Sequence, residues 1–205
     1  YERRTLMNIE ALYFQKYFYF KHLNQSSSEH RVTYWVKLSR DIELHRLMYA
    51  LLDVVQNQPV LRTQFVTDDF NQLKINLRDF FPFIEIKEVN EMSQSIDLEA
   101  FFTRNLNSYH FNQLPLFNFK IYQFLDEAYL LLDFHATIFN ESQLTPFLQQ
   151  LNIAYTHSLK SEYSISDFYN WIKEMNQKMD QNQVVCPSNH FNVLNAGGDL
   201  SLIHI

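Results

Sequence analysis

The sequence predicts a mixed α/β layer fold, with helices packed on one largely antiparallel sheet. Three observations carry that prediction. Segments with helical periodicity alternate with short runs rich in β-branched and aromatic residues. Pairs of those runs meet at short polar turns, as antiparallel hairpins do. One run, AYLLLDF, is apolar almost throughout, as expected of a central strand covered on both faces.

The elements follow in order. Residues 6–20 read as a helix with Ile9, Leu12, Tyr13, Tyr17 and Phe20 on one side. HLNQSSSEH is a polar loop, and Ser26, Ser27 and Ser28 read as solvated connection. Residues 32–38 (VTYWVKL) form a strand. Asp41 is placed to cap the next helix, striped by Leu44, Leu47, Met48, Leu51, Leu52 and Val55. Pro59 stops that helix. Residues 61–66 continue as a strand, DDFN turns the chain, and QLKINL returns as hairpin partner. Residues 83–89 alternate as a strand, and residues 97–106 are helical.

A loop containing Pro115 leads into a second hairpin. Its first strand sets Phe117, Phe119 and Ile121 against Asn118 and Lys120. Asp126 and Glu127 turn it into AYLLLDF, which ends at His135. Two helices close the pattern, one with Leu144, Phe147, Leu148, Leu151 and Tyr155, the other with Ile165, Phe168, Tyr169, Ile172 and Met175. Residues 1–182 read as one unit without repeat or linker, and residues 183–205 as an irregular tail. The segment AGGDLSLIHI differs in character from the rest and reads as foreign sequence or a shifted frame. The chain starts at Tyr1 and is treated as a fragment.

Composition narrows the function. Apolar residues make up 46% of the 205, enough for a sizeable core, which excludes a disordered tail. The net charge is −6, which argues against a general nucleic-acid binder. The single cysteine, Cys186, permits no internal disulfide and no Cys-based zinc site. No pair of histidines stands with a carboxylate at metal-ligand spacing, so no metal is expected. No apolar run is long enough to span a bilayer, and the first residues lack a signal-peptide core, so the expected compartment is the cytoplasm. Both glycines, Gly197 and Gly198, lie in the tail. Residues 1–196 therefore cannot build a glycine-rich phosphate loop.

The segment with chemical promise is HATIFNES, where an apolar strand delivers His135 into a loop ahead of a helix. Spacing leaves two readings of His135 open: a base held rigidly, or a strand-terminal histidine satisfied by main chain. No acid or nucleophile can be assigned to it from sequence.

The segment resembles the H-H-x-x-x-D-G motif of condensation domains in nonribosomal peptide synthetases. It runs His135, Ala136, Thr137, Ile138, Phe139, Asn140, Glu141. QPVLRTQF resembles the family's R-H-x-x-L-R-T-x-F segment and keeps Leu61, Arg62 and Thr63. FNQLPLFNFKIY, with Pro115, resembles the family's P-L-F-R strand entry. DFYNWIKE, around Trp171, resembles the aromatic helix that ends its first half. Four such pieces fall in the family's order over residues 6–180.

The resemblance implies a chloramphenicol-acetyltransferase-like half, the N-terminal one of two that face each other across a tunnel. It implies carrier proteins that bring phosphopantetheine-tethered thioesters, with no cofactor bound by this chain. Neighbouring synthetase domains or a second acyltransferase-like half are the implied partners, and a homodimer is an alternative way to cover the surface facing that half. The motif departs from the family where chemistry is implied. Ala136 replaces the catalytic histidine, and a methyl group moves no proton. Asn140 replaces the aspartate that holds the loop through an arginine, and Glu141 replaces the glycine. Asn57 and Gln58 replace the arginine and histidine before L-R-T, and Asn118 replaces the arginine after P-L-F. The expectation is a retained scaffold, impaired in amide-bond formation, that docks a carrier protein or a neighbouring domain. The alternative is an acyltransferase active only with a complementing half, His135 serving as its base.

Overall fold

The computed structural model describes residues 9–24, 30–69, 72–111, 113–157 and 165–180. The tail 183–205, Cys186, both glycines and Ser26 to Ser28 lie outside the described residues.

The first element is a two-residue strand, β1 (Ile9–Glu10), followed by helix α1 (Tyr13–Asn24). The expected helix over residues 6–20 thus starts later and behind a strand. Pairing of Ile9 and Glu10 with Ile75 and Lys74 holds the chain extended there. Gln15 then turns it, its Oε1 accepting the Leu12 main-chain N–H at 2.9 Å. The stripe also differs from expectation. Leu12, Gln15 and Phe18 are buried, while Tyr13, Tyr17 and Phe20 face outward. A helix aromatic on nearly every side carries no periodicity to say which side packs.

Strand β2 (Arg31–Lys37) precedes helix α2 (Leu44–Asn57). Its N-cap is Glu43 rather than Asp41, and Glu43 makes no side-chain cap bond. Instead the Glu43 N–H donates to Tyr155 Oη at 3.1 Å, so a tertiary contact does what the local cap would have done. The predicted stripe is buried at Leu47, Leu51 and Val55. Pro59 does end the helix, but it opens a 3-10 turn over Pro59–Arg62 and delays strand β3 to Thr63–Thr67. β3 pairs antiparallel with β4 (Leu73–Leu77), the expected hairpin. Strand β5 (Glu85–Glu88) and helix α3 (Leu98–Arg104) follow, with Asp97 accepting the Ala100 N–H at 3.1 Å as N-cap. β6 (Phe117–Gln123) and β7 (Ala128–His135) form the second hairpin. Helices α4 (Leu144–Thr156) and α5 (Ile165–Asp180) complete the order.

The strands form two sheets, not the single one expected. One is three-stranded, β1-β4-β3; the other is four-stranded, β2-β7-β6-β5, antiparallel except for the parallel pair β5–β6. The main core lies between them and the helices. Leu47 and Leu51 of α2, Phe147 and Leu151 of α4, Phe65 and Ile75 of the smaller sheet and Ile172 of α5 meet Phe119, Leu132 and Phe134 there. The opposite face of the larger sheet carries a second cluster, Phe102, Tyr122, Phe124, Tyr129 and Leu131. β7 feeds both: Leu130, Leu132 and Phe134 enter the first cluster, Tyr129 and Leu131 the second. That double burial is why its sequence is a near-continuous apolar run. Among the described residues no helix is long and apolar enough to cross a membrane.

Candidate functional site

The end of β7 is fastened from both sides. The His135 N–H donates to Leu116 O at 2.8 Å, and the Ala136 N–H donates to His30 O at 2.9 Å. The chain then turns tightly, with the Ile138 N–H donating to His135 O at 3.0 Å. His135 itself is fully buried. Its Nδ1 accepts the Thr137 N–H at 3.2 Å and also contacts the Thr137 hydroxyl. Accepting a main-chain N–H at Nδ1 places the ring proton on Nε2 of a neutral imidazole. The ring packs edge-on against Phe111, centroids 4.7 Å apart, and Tyr109, 5.6 Å apart.

Beneath it on the same face of β7 lies Asp133, also fully buried. Arg31 Nη2 stands 3.3 Å from its Oδ2, Thr33 Oγ1 donates to Oδ1 at 2.8 Å, and the Tyr109 hydroxyl donates to Oδ2. The Arg31 guanidinium also lies over the Tyr109 ring, 4.7 Å from its centroid, and donates to Asn107 O. Burial raises the Asp133 carboxyl above its ordinary value, with Arg31, Tyr109 and Thr33 pulling the other way. Burial next to Asp133 pushes the Tyr109 phenol well above its ordinary value, so it remains a donor. The sequence reading missed this network. Its signal was an aspartate inside an apolar strand, since a buried charge needs a partner.

Past His135 the chain offers little chemistry. Ala136 is 7% exposed, and Thr137, Ile138 and Phe139 are buried. Phe139 stacks on Phe134 with centroids 3.8 Å apart. Asn140 is engaged locally: its N–H donates to Gln143 Oε1 at 2.8 Å, and Ser142 Oγ donates to its Oδ1 at 2.6 Å. Glu141 opens a 3-10 turn, Glu141–Gln143, a right-handed conformation that needs no glycine. A glutamate in place of the motif's glycine therefore meets no left-handed backbone here.

The structure keeps the L-R-T segment apart from Asn140's bonds. Leu61 is in the main core. Arg62 is buried, and its Nη1 pairs with Asp79 Oδ1 at 2.9 Å. Thr63 Oγ1 donates to Pro59 O at 3.2 Å. Asn57 Nδ2 donates to Asp53 O at 2.9 Å, and Gln58 Nε2 donates to Gln150 Oε1, tying the end of α2 to α4. Pro115 is exposed and, with Asn118, lines a cleft of about 510 Å³ beside β5 and β6.

A model of the condensation domain matches residues 9–188. The chain belongs to the condensation-domain family. No curated protein matches it. Solved condensation domains share its fold at low sequence identity. The starter condensation domain of rhizomide synthetase RzmA superposes with a TM-score of 0.69 at 13% identity, covering 85% of this chain and 45% of that one. The first condensation domain of the CDA synthetase gives 0.70 at 9% identity, covering 84% and 46%. The condensation domain of the Monacolin K polyketide synthase MokA gives 0.67 at 13% identity, covering 85% and 41%. This condensation-family chain therefore spans less than half the length of the solved domains it matches. The family resemblance read from the motifs and the acetyltransferase-like fold it implied both hold.

Proposed function

We propose that this condensation-family chain is a docking scaffold impaired in amide-bond formation. One observation carries the reading. The position that follows His135 is the methyl group of Ala136, and the next three side chains are a buried threonine, isoleucine and phenylalanine. Between His135 and Glu141 no side chain is titratable, so none there takes a proton from an attacking amine. His135 does not substitute readily. Its Nδ1 is engaged by Thr137, and its ring is sealed under Phe111 and Tyr109.

The docking part of the proposal rests on α1. Its inner side reaches the loop region, with Tyr19 4.9 Å from Phe111 and Phe18 5.7 Å from His30, ring centroid to ring centroid. Its outer side exposes Tyr13, Tyr17, Phe20 and Leu23. The solved domains extend well beyond the part this chain matches, 45% of the rhizomide synthetase starter domain, and the proposed occupant of that face is a second acyltransferase-like half. A carrier protein would bring its thioester as cargo on phosphopantetheine, which this chain would not hold by itself.

The test is direct. The chain, alone and with a second half supplied in trans, is given a carrier-bound acyl thioester and an amine acceptor. The expected result is amide formation at the uncatalysed rate, with measurable carrier binding. Turnover above background that His135→Asn abolishes would establish the alternative, an acyltransferase using His135 as base.

A further inference from the structure

The larger sheet ends at β5, which pairs only with β6 among the described residues. In a parallel pair, part of the strand's main-chain groups point to the neighbour and the others point outward. Those outward groups are a template for another strand. The cleft of about 510 Å³ adjoins this edge, on the sheet face that carries Asp133. That volume is within the range of roughly 300–1,000 Å³ usual for ligand sites.

The walls of the cleft define its chemistry. Asn118, Lys120 and Glu85 line it, with Phe83 and Pro115 at the rim. Lys120 Nζ is already held, donating to Asn105 O at 2.9 Å and Asn107 Oδ1 at 3.3 Å. Asn118 Nδ2 is buried and has no hydrogen-bond partner among the described residues. An amide donor left so is desolvated without a compensating bond. Phe83, two residues ahead of β5, is 89% exposed, and Phe81 beside it is 80% exposed. Two phenylalanine rings in water oppose the hydrophobic effect.

Charge decides among ligands. Glu85 and Lys120 are register partners on adjacent strands and offset each other. Asp133 beneath them is matched by Arg31. The cleft therefore favours neither a phosphate nor a cation, and suits a neutral chain of amides. The edge residues Glu85, Lys87 and Glu88 are themselves charged, so β5 of a second copy is not the uncharged strand that this cleft suits.

We propose that β5 takes an extended, uncharged peptide segment of another protein as a fifth strand. The peptide's apolar residue packs on Phe83, and a glutamine on the cleft side reaches the Asn118 amide with its side-chain carbonyl. Strand spacing of about 4.8 Å puts the added strand about 10 Å from β6, a gap that a glutamine and an asparagine side chain bridge together. This site adjoins the end of β7, with Tyr109 lining the cleft and packing on His135, but it does not depend on the scaffold reading.

The probe is a display library of random heptapeptides, panned on the intact chain. Recovered peptides should be uncharged, with glutamine or asparagine one residue away from an apolar one. Binding, read by fluorescence anisotropy, should weaken about tenfold or more on Phe83→Ser and on N-methylation of alternate peptide residues. Because Phe83 is exposed, Phe83→Ser leaves folding intact, and an unchanged melting temperature checks this. Asn118→Leu should remove the glutamine preference while leaving backbone-driven binding. Failure to enrich any peptide would overturn the proposal. So would peptides that bind wild type, Phe83→Ser and their own N-methylated forms equally.

Discussion

Asp133 and His135 stand two residues apart on one face of β7, and each is buried with partners that a single-residue view does not supply. Asp133 makes the clearer prediction, because its proton couples to folding. Its folded value is raised by burial above an ordinary value of 3.8. The folded state thus binds this proton more tightly than the unfolded chain does. Its contribution to stability is full below the unfolded value and is lost as pH rises through the folded one. In urea unfolding from about pH 3 to pH 7, wild type should lose stability with rising pH relative to Asp133→Asn. Parallel pH profiles would mean that Arg31 and Tyr109 fully offset the burial. His135 makes the second prediction. Deleting its ring by His135→Ala empties the space between Phe111 and Tyr109 and should cost about 2–4 kcal/mol. Carrier binding should be unchanged once temperature is lowered enough to keep the variant folded. At this scale one letter suffices to place Ala136 after His135, the position on which the proposed impairment rests. It could not show the Arg31–Asp133–Tyr109 cluster, whose members come from three separated segments.

Elements were legible where local pattern determines them. The α2 stripe and both hairpins follow from periodicity and turn residues, and β7 follows from its double burial. The division into two sheets was not legible, since it depends on which hairpin pairs with β1 and β2 far away in sequence. Nor was the start of α1, where Ile9 and Glu10 are helix-compatible but are claimed by β4. The approach to α4 shows local and motif logic competing. Asn140 in the family-motif position acts here within its own turn, bonded to Gln143 and Ser142. Arg62 is satisfied elsewhere by Asp79. An aspartate at this position should therefore act as a helix-entry charge and not as an ion-pair switch. Asn140→Asp should stabilise by about 0.3–1 kcal/mol at low salt and less at high salt. Thermal unfolding at two ionic strengths reads this. A salt-independent gain of several kcal/mol, abolished by Arg62→Met, would show that Arg62 changes partner instead.

For the whole molecule, the question is what meets the outer side of α1. Tyr17 is 53% exposed, and Tyr13, Phe20 and Leu23 extend the same apolar surface. Inward, α1 contacts the ring of Phe111, which in turn covers His135. A partner seated on α1 would thus lie one layer of side chains from the loop that carries Ala136. The double variant Tyr17→Ser, Phe20→Ser removes apolar area from the surface without touching the buried Leu12, Gln15 and Phe18. Its melting temperature should stay within a few degrees of wild type. Sedimentation velocity of the chain mixed with a polypeptide carrying a second acyltransferase-like half should show a one-to-one complex for wild type. The double variant should bind at least tenfold more weakly, about 1.4 kcal/mol. A wild-type complex unaffected by the substitutions would move the docking face away from α1. Wild-type self-association that the variant loses would name a second copy as the occupant, and the loop at Ala136 would then face its own counterpart.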